Sequence, residues 1–149
     1  MPDVTFDEVG LYRIRFTVAG TVRKNARTRF TARGGKVRAH NSKEHDALVL
    51  AVCRKWARVS IVSGQWHATI DSYWPSKRHI GTAHDLPLGD VDAPISSILD
   101  ALAPSESVRR RLLVHGIFDD DARIISLAAR KFLDKARPRV EVTLKWVQS

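Results

Sequence analysis

Asp90 and Asp92 stand two residues apart in "PLGDVDAPISSILDAL", and Asp119, Asp120 and Asp121 are consecutive in "GIFDDDAR". Carboxylates gathered at one place repel one another and invite a divalent cation that neutralises them. In extended backbone entering a helix, an Asp-x-Asp pair projects to one side and can share one ion. Asp120 or Asp121, arriving at the end of another element, would supply a third ligand. Mg²⁺ is hard, prefers oxygen donors and is commonly held by one or two carboxylates plus a substrate phosphate. Beside a phosphodiester, such an ion polarises the phosphate, activates a bound water and screens the leaving oxygen. The competing reading is two solvated turns that use Asp because it tolerates turn geometry. Asp-x-Asp alone arises by chance in many chains, so spacing does not choose between the two.

The charge surrounding these acids has the opposite sign. The 149 residues carry 25 Lys and Arg against 16 Asp and Glu, a formal net charge of +9 and a pI near 10.3. Arg23, Lys24, Arg27, Arg29, Arg33, Lys36, Arg38 and Lys43 follow one another with no acid among them. A solvated loop that only promotes solubility usually mixes both signs. A run of one sign points to a polyanion, and here to nucleic acid ahead of an anionic membrane, because no apolar helical face accompanies the charge. Lys77 and Arg78 extend the basic set, as does the triplet Arg109, Arg110 and Arg111. For the triplet, contact with a DNA arm and a solvated helix face are equally good readings.

The elements that must position these residues follow from periodicity. "LYRIRFTV" alternates, with Tyr12, Ile14, Phe16 and Val18 on one face, which predicts a half-buried strand. The next stretch reads as a long basic loop over 20–41, with a hairpin turning at Gly34-Gly35. Asn41 and Glu44 resemble an N-cap arrangement for a helix reaching Val59, striped by Leu48, Val52 and Trp56. "QWHATIDSYW" predicts a second strand ending near Pro75, with Trp66, Ala68 and Ile70 on one face. Asp92 occupies an N-cap position, Pro94 fits the first turn, and Ile95, Ile98, Leu99 and Leu102 form the face of a short helix. After an insertion-like piece near 103–115, Gly116 and the Asp run predict a turn into a strand. "RVEVTLKW" predicts the last strand, with Val140, Val142, Leu144 and Trp146 on one face. The expected fold is a single α+β domain over 1–149: two layers, a mixed sheet packed with two main helices.

Taken in order, "GDVDAPISSILDAL", "GIFDDDARI" and "PRVEVTL" resemble the RusA-type Holliday junction resolvases. That family shows an Asp-x-Asp-Asn-x-x-Lys stretch opening a helix that ends in a Leu-Asp-Ala-Leu-like segment. A Gly-hydrophobic stretch then leads to an Asp-Asp pair, and a C-terminal strand follows. The resemblance covers most of the chain, including the glycine-bearing basic loop. It implies that Asp90 and Asp92 are paired metal ligands, that Asp121 is the third catalytic carboxylate and that Asp120 lies beside it. It implies Mg²⁺, with Mn²⁺ as a substitute, no nucleotide cofactor, and a homodimer making paired symmetric nicks in four-way junctions. Asp100 matches the family's helix acid, and its expected role is structural, facing solvent or closing the helix.

Two departures bear on chemistry. Ala93 stands at the family's Asn and Ser96 at its Lys, whose expected role is to stabilise charge on the phosphate. A serine hydroxyl fills that role poorly, so Lys77, Arg78, Arg123 and Lys131 are candidate replacements. Two functions follow as expectations: a Mg²⁺-dependent endodeoxyribonuclease resolving branched DNA, or a branched-DNA-binding protein whose site is weakened or inactive.

The remaining features bound the problem. "MPDVTFDEVG" has no apolar signal core, and no stretch approaches the roughly 20 apolar residues of a membrane span. Cys53 is the single cysteine, so no internal disulfide forms, and an intracellular location is expected. The six histidines have no zinc-type spacing, and Cys53 reads as a small buried hydrophobe.

Overall fold

A computed structural model of the chain describes residues 2–22, 29–33, 36–40, 43–56, 62–75 and 93–147, with 29–33, 36–40 and 93 described by their backbone. The strands are β1 (Val4–Val9), β2 (Arg13–Ala19), β3 (Arg29–Arg33), β4 (Lys36–His40), β5 (Trp66–Trp74), β6 (Ile124–Leu133) and β7 (Arg139–Trp146). The helices are α1 (Lys43–Trp56), α2 (Ala93–Leu102) and α3 (Glu106–Leu112), and a 3₁₀ turn over Asp121–Arg123 leads into β6. Five strands form one mixed sheet in the order β1-β2-β7-β5-β6, in which only β5 and β6 run parallel. The expected α+β domain is the one observed.

Strict alternation explains why the sheet has one dry face. Trp66, Ala68, Ile70, Ser72 and Trp74 of β5 are buried, as are Ile14, Phe16 and Val18 of β2 and Val140, Val142 and Leu144 of β7. Paired residues share a face of the sheet, so these side chains form one apolar floor. Leu48, Val49, Val52 and Trp56 of α1 and Ile98, Ala101 and Leu102 of α2 complete the core above it. Phe6 bridges the layers, its ring 5.0 Å from Phe16 and 5.6 Å from Trp56. The opposite face carries half-exposed polar side chains and no helix among the described residues.

Several expectations change. Tyr12, expected on the buried face, precedes β2 in a turn closed by the Gly10 N–H on Arg13 O at 2.8 Å, and it is 64% exposed. Trp146 is also partly exposed, because the helical layer stops short of this end of the sheet. The insertion near 103–115 is a third helix: Ser105 accepts the Val108 N–H, and Glu106 and Arg109–Arg111 match the helix dipole at opposite ends. Part of the basic loop is regular, since β3 pairs antiparallel with β4, Arg33 opposite Lys36. Gly34, Gly35 and Val59 lie outside the described residues. No helix among the described residues is long and apolar enough to cross a membrane.

Candidate acidic site and nucleic-acid interface

The Asp run is delivered by an apolar anchor. Ile117 and Phe118 are fully buried, and the Phe118 ring lies 5.8 Å from Trp66. The Phe118 N–H donates to Leu102 O at 3.0 Å, while Ile117 O accepts the Val62 N–H at 2.8 Å. Gly116 permits this docking, because a Cβ there would lie 2.4 Å from Leu102 O and 2.6 Å from Pro104 Cδ. The chain is therefore pinned to the C-terminal end of α2. It emerges at Asp119 and enters β6 five residues later.

The three consecutive acids do three different things. Asp119 holds Arg123, with Oδ1 3.0 Å from Nε, and that guanidinium lowers its pKa. Asp120 caps the 3₁₀ turn by accepting the Ala122 N–H at 2.8 Å, and this hydrogen bond lowers its pKa. Asp121 has no basic partner among the described residues. Its pKa is raised, first by a hydrogen bond shared with the Asp120 carboxylate, then by burial and by the charges of Asp120 and Asp100. Asp121 therefore holds a proton more readily than an isolated aspartate does. A cation would relieve the same crowding.

Asp100 is the acidic neighbour whose effect on Asp121 the sequence reading did not anticipate. It is exposed on α2, as expected, but α2 packs against the 3₁₀ turn and brings its charge to bear on Asp121. Asp100 Oδ2 also lies 3.9 Å from Nε2 of the buried His45. The spacing of Ser96 and Asp100 within α2 was the available signal, since residues four apart share a helix face. Burial lowers the pKa of His45, against the opposing pull of Asp100 and Asp46.

Asp90 and Asp92 lie outside the described residues, so their approach to Asp121 is not part of this geometry. In sequence, Asp92 immediately precedes α2. Among the described residues, no group of three or more His, Cys, Asp or Glu is arranged to hold a metal ion. What this region offers is hard carboxylate oxygen on Asp120 and Asp121, donors that suit Mg²⁺ and not a soft metal. Of the cations considered as replacements for the family lysine, Lys77 and Arg78 lie outside the described residues. Arg123 is adjacent to Asp121 in the same turn but engaged by Asp119. Lys131 is seven residues into β6, about 23 Å along the strand from its start.

The basic residues divide similarly. Arg23, Lys24 and Arg27 lie outside the described residues. The register of the hairpin, with Arg29 opposite His40, Thr31 opposite Arg38 and Arg33 opposite Lys36, places positions 29, 33, 36 and 38 on one face. Four cationic positions thus share one side of a two-stranded ribbon, a pattern the linear charge count did not reveal. In the triplet, Arg111 forms a bidentate pair with Asp46 at 2.7 and 2.9 Å, and Arg110 pairs with Glu106. Arg109 is half-buried. Two of the three therefore already have carboxylate partners, which favours the helix-face reading for them. No family model and no curated protein matches the chain.

Proposed function

We propose that the protein is a Mg²⁺-dependent endodeoxyribonuclease that cuts branched DNA, four-way junctions above all, acting inside the cell as a twofold homodimer. The observation that carries this reading is the state of Asp121. In a run of three acids, the one that the resolvase resemblance assigns to metal has no ion pair among the described residues and is crowded by Asp120 and Asp100. A solvated turn explains Asp119 and Asp120 but gives no reason for a third acid there.

In this reading Asp90, Asp92 and Asp121 hold the ion, with Asp120 beside them. The bound ion supplies Lewis-acid activation of the scissile phosphate and of water. The protein's own residues provide the rest. Apolar docking of Ile117 and Phe118 fixes the height at which Asp121 meets α2. The basic face of the β3–β4 hairpin grips phosphates of the arms, which anchors the duplex without reading its sequence. A twofold dimer matches the symmetry of the junction, so that two nicks are placed equivalently.

The test is incubation of the purified chain with a labelled four-way junction, with and without Mg²⁺. Paired symmetric nicks are expected, lost on chelation and lost in Asp90→Asn, Asp92→Asn and Asp121→Asn while junction binding persists. Wild-type cutting by all three variants would overturn the proposal. A second reading rests on Ser96, exposed on α2 where the family carries lysine: the protein binds branched DNA without cutting it. Junction binding without nicks, with cutting restored by Ser96→Lys, would select that reading.

A further inference from the structure

The two edges of the sheet are built differently. At one edge, β1 is six residues long, is interrupted by a bulge between Phe6 and Glu8, and carries Asp7 and Glu8 at that bulge. A bulge and charged side chains deny an incoming strand a regular ladder. At the other edge, β6 is ten residues long and pairs with β5 alone among the described strands. Its register is regular from Ser126 to Leu133, so its outer side presents a straight row of backbone donors and acceptors. No residue of β6 is buried, and Ile125, Leu127 and Leu133 are 47%, 40% and 40% exposed. A long, apolar, unguarded edge is where another strand adds.

Two features identify the added strand as a second copy of this chain. The first is charge. β6 is entered from the acidic run Asp119, Asp120 and Asp121 and left through Lys131 and Lys135. Antiparallel addition of a second copy lays the acidic entrance of each strand toward the basic exit of the other, whereas parallel addition would set like charge against like. The second feature is closure. A twofold pairing uses up both β6 edges and leaves outside only the two bulged β1 strands, so assembly stops at two chains instead of running on into a fibre. The centre of the strand also permits close approach: its midpoint falls between Ala128 and Ala129, the smallest side chains in β6.

We propose that the protein dimerises edge to edge through β6, two copies of the strand pairing antiparallel about a twofold axis beside Ala128 or Ala129 to form one continuous sheet. Leu127 and Leu133 are opposite Ala68 and Trp74 of β5, on the face that carries the helices. Residues directly opposite share a face, so both helical layers lie on one side of the joined sheet and these leucines line its seam. The two Asp121–Arg123 turns then enter the seam from opposite ends, with the first residues of β6 roughly 26–33 Å apart along the strand direction. The inference rests on the homodimer proposed above, for which it names the surface, and does not require cleavage.

Light scattering during size-exclusion chromatography, in EDTA and without DNA, tests it. The wild-type chain is expected at twice its mass of 16.8 kDa, and Ile125→Glu with Leu133→Glu at the single mass. Both residues are exposed, and a circular-dichroism spectrum matching wild type shows that the double variant is folded. Single cysteines read the geometry independently of that variant. A residue facing its own copy across an antiparallel pair has Cα atoms about 4.5–5.5 Å apart, within disulfide range. Ala128→Cys or Ala129→Cys should therefore close an intermolecular disulfide under mild oxidation, while Lys145→Cys on the exposed end of β7 stays reduced. Cys53 is buried and takes no part. A wild-type chain of single mass, an undiminished dimer in the folded double variant, or no more cross-linking at either alanine than at Lys145 would overturn the interface. The outcome is separable from the nuclease reading. Junctions nicked by a protein whose dimer survives the double substitution would refute this surface alone, and a β6-dependent dimer that never nicks in Mg²⁺ would refute the nuclease alone.

Discussion

Replacing each of Asp119, Asp120 and Asp121 in turn by Asn should move stability in different directions, because the three carboxylates have different partners. Asp119→Asn removes the charge that holds Arg123 and should lower stability slightly. Asp120→Asn should leave the 3₁₀ turn intact, since Asn caps as well as Asp. Asp121→Asn removes a charge with no basic partner among the described residues and relieves repulsion with Asp120 and Asp100. The site is largely exposed, so water and salt screen the effect, and the gain is about 0.2–1 kcal/mol. For a chain of this length that is a rise in Tm of at most about 3 °C. The gain should shrink at high ionic strength. Mg²⁺ should close the difference from the other side, stabilising wild type by mass action and leaving Asp121→Asn unmoved. Thermal unfolding of the three variants at low and high salt, each with and without Mg²⁺, provides the comparison. If Asp121→Asn is clearly less stable than wild type, or gains as much from Mg²⁺, the acid is an ordinary structural group and the crowding argument fails.

Two further predictions concern the scaffold. Phe118→Ala empties a fully buried site against Trp66 and should cost about 3–5 kcal/mol in chemical denaturation, whereas Phe118→Leu should cost less; a loss below about 1 kcal/mol would mean that the Asp run is not anchored as described. His45 is buried with its pKa lowered, so the folded state binds its proton less readily than the unfolded chain does. Stability contributed in this way is present above the unfolded value of about 6.5 and falls as pH drops below it. His45→Gln should flatten that decline in pH-dependent unfolding, and an equally steep decline in the variant would assign it to other groups.

Much of the fold could be read from the sequence because one side of each central strand faces a dry layer. Alternation in "WHATI" and "RVEVTL" was unambiguous, and the buried residues follow it. At the strand ends the same pattern misled: Tyr12 and Trp146 continue the alternation, but the helices do not reach them. The α3 helix entered the sequence reading only as one of two readings of the arginine triplet, because its seven residues bury one side chain, Val108, and are fixed by a cap and by the Arg111–Asp46 pair. Such tertiary contacts leave no period in the chain. The Asp run was visible as a cluster, but which of its members carries the strain depends on Arg123, Ala122 N–H and Asp100, and these partners are set by folding.

The central claim is that Asp121 joins Asp90 and Asp92 around one divalent ion. Titration with Mn²⁺ followed by electron paramagnetic resonance tests it directly, because bound Mn²⁺ loses the sharp signal of the free aqueous ion. A site is expected in the wild-type protein, competed by Mg²⁺ and weakened in each of Asp90→Asn, Asp92→Asn and Asp121→Asn, with Asp119→Asn unaffected. Undiminished Mn²⁺ binding by Asp121→Asn would contradict the account.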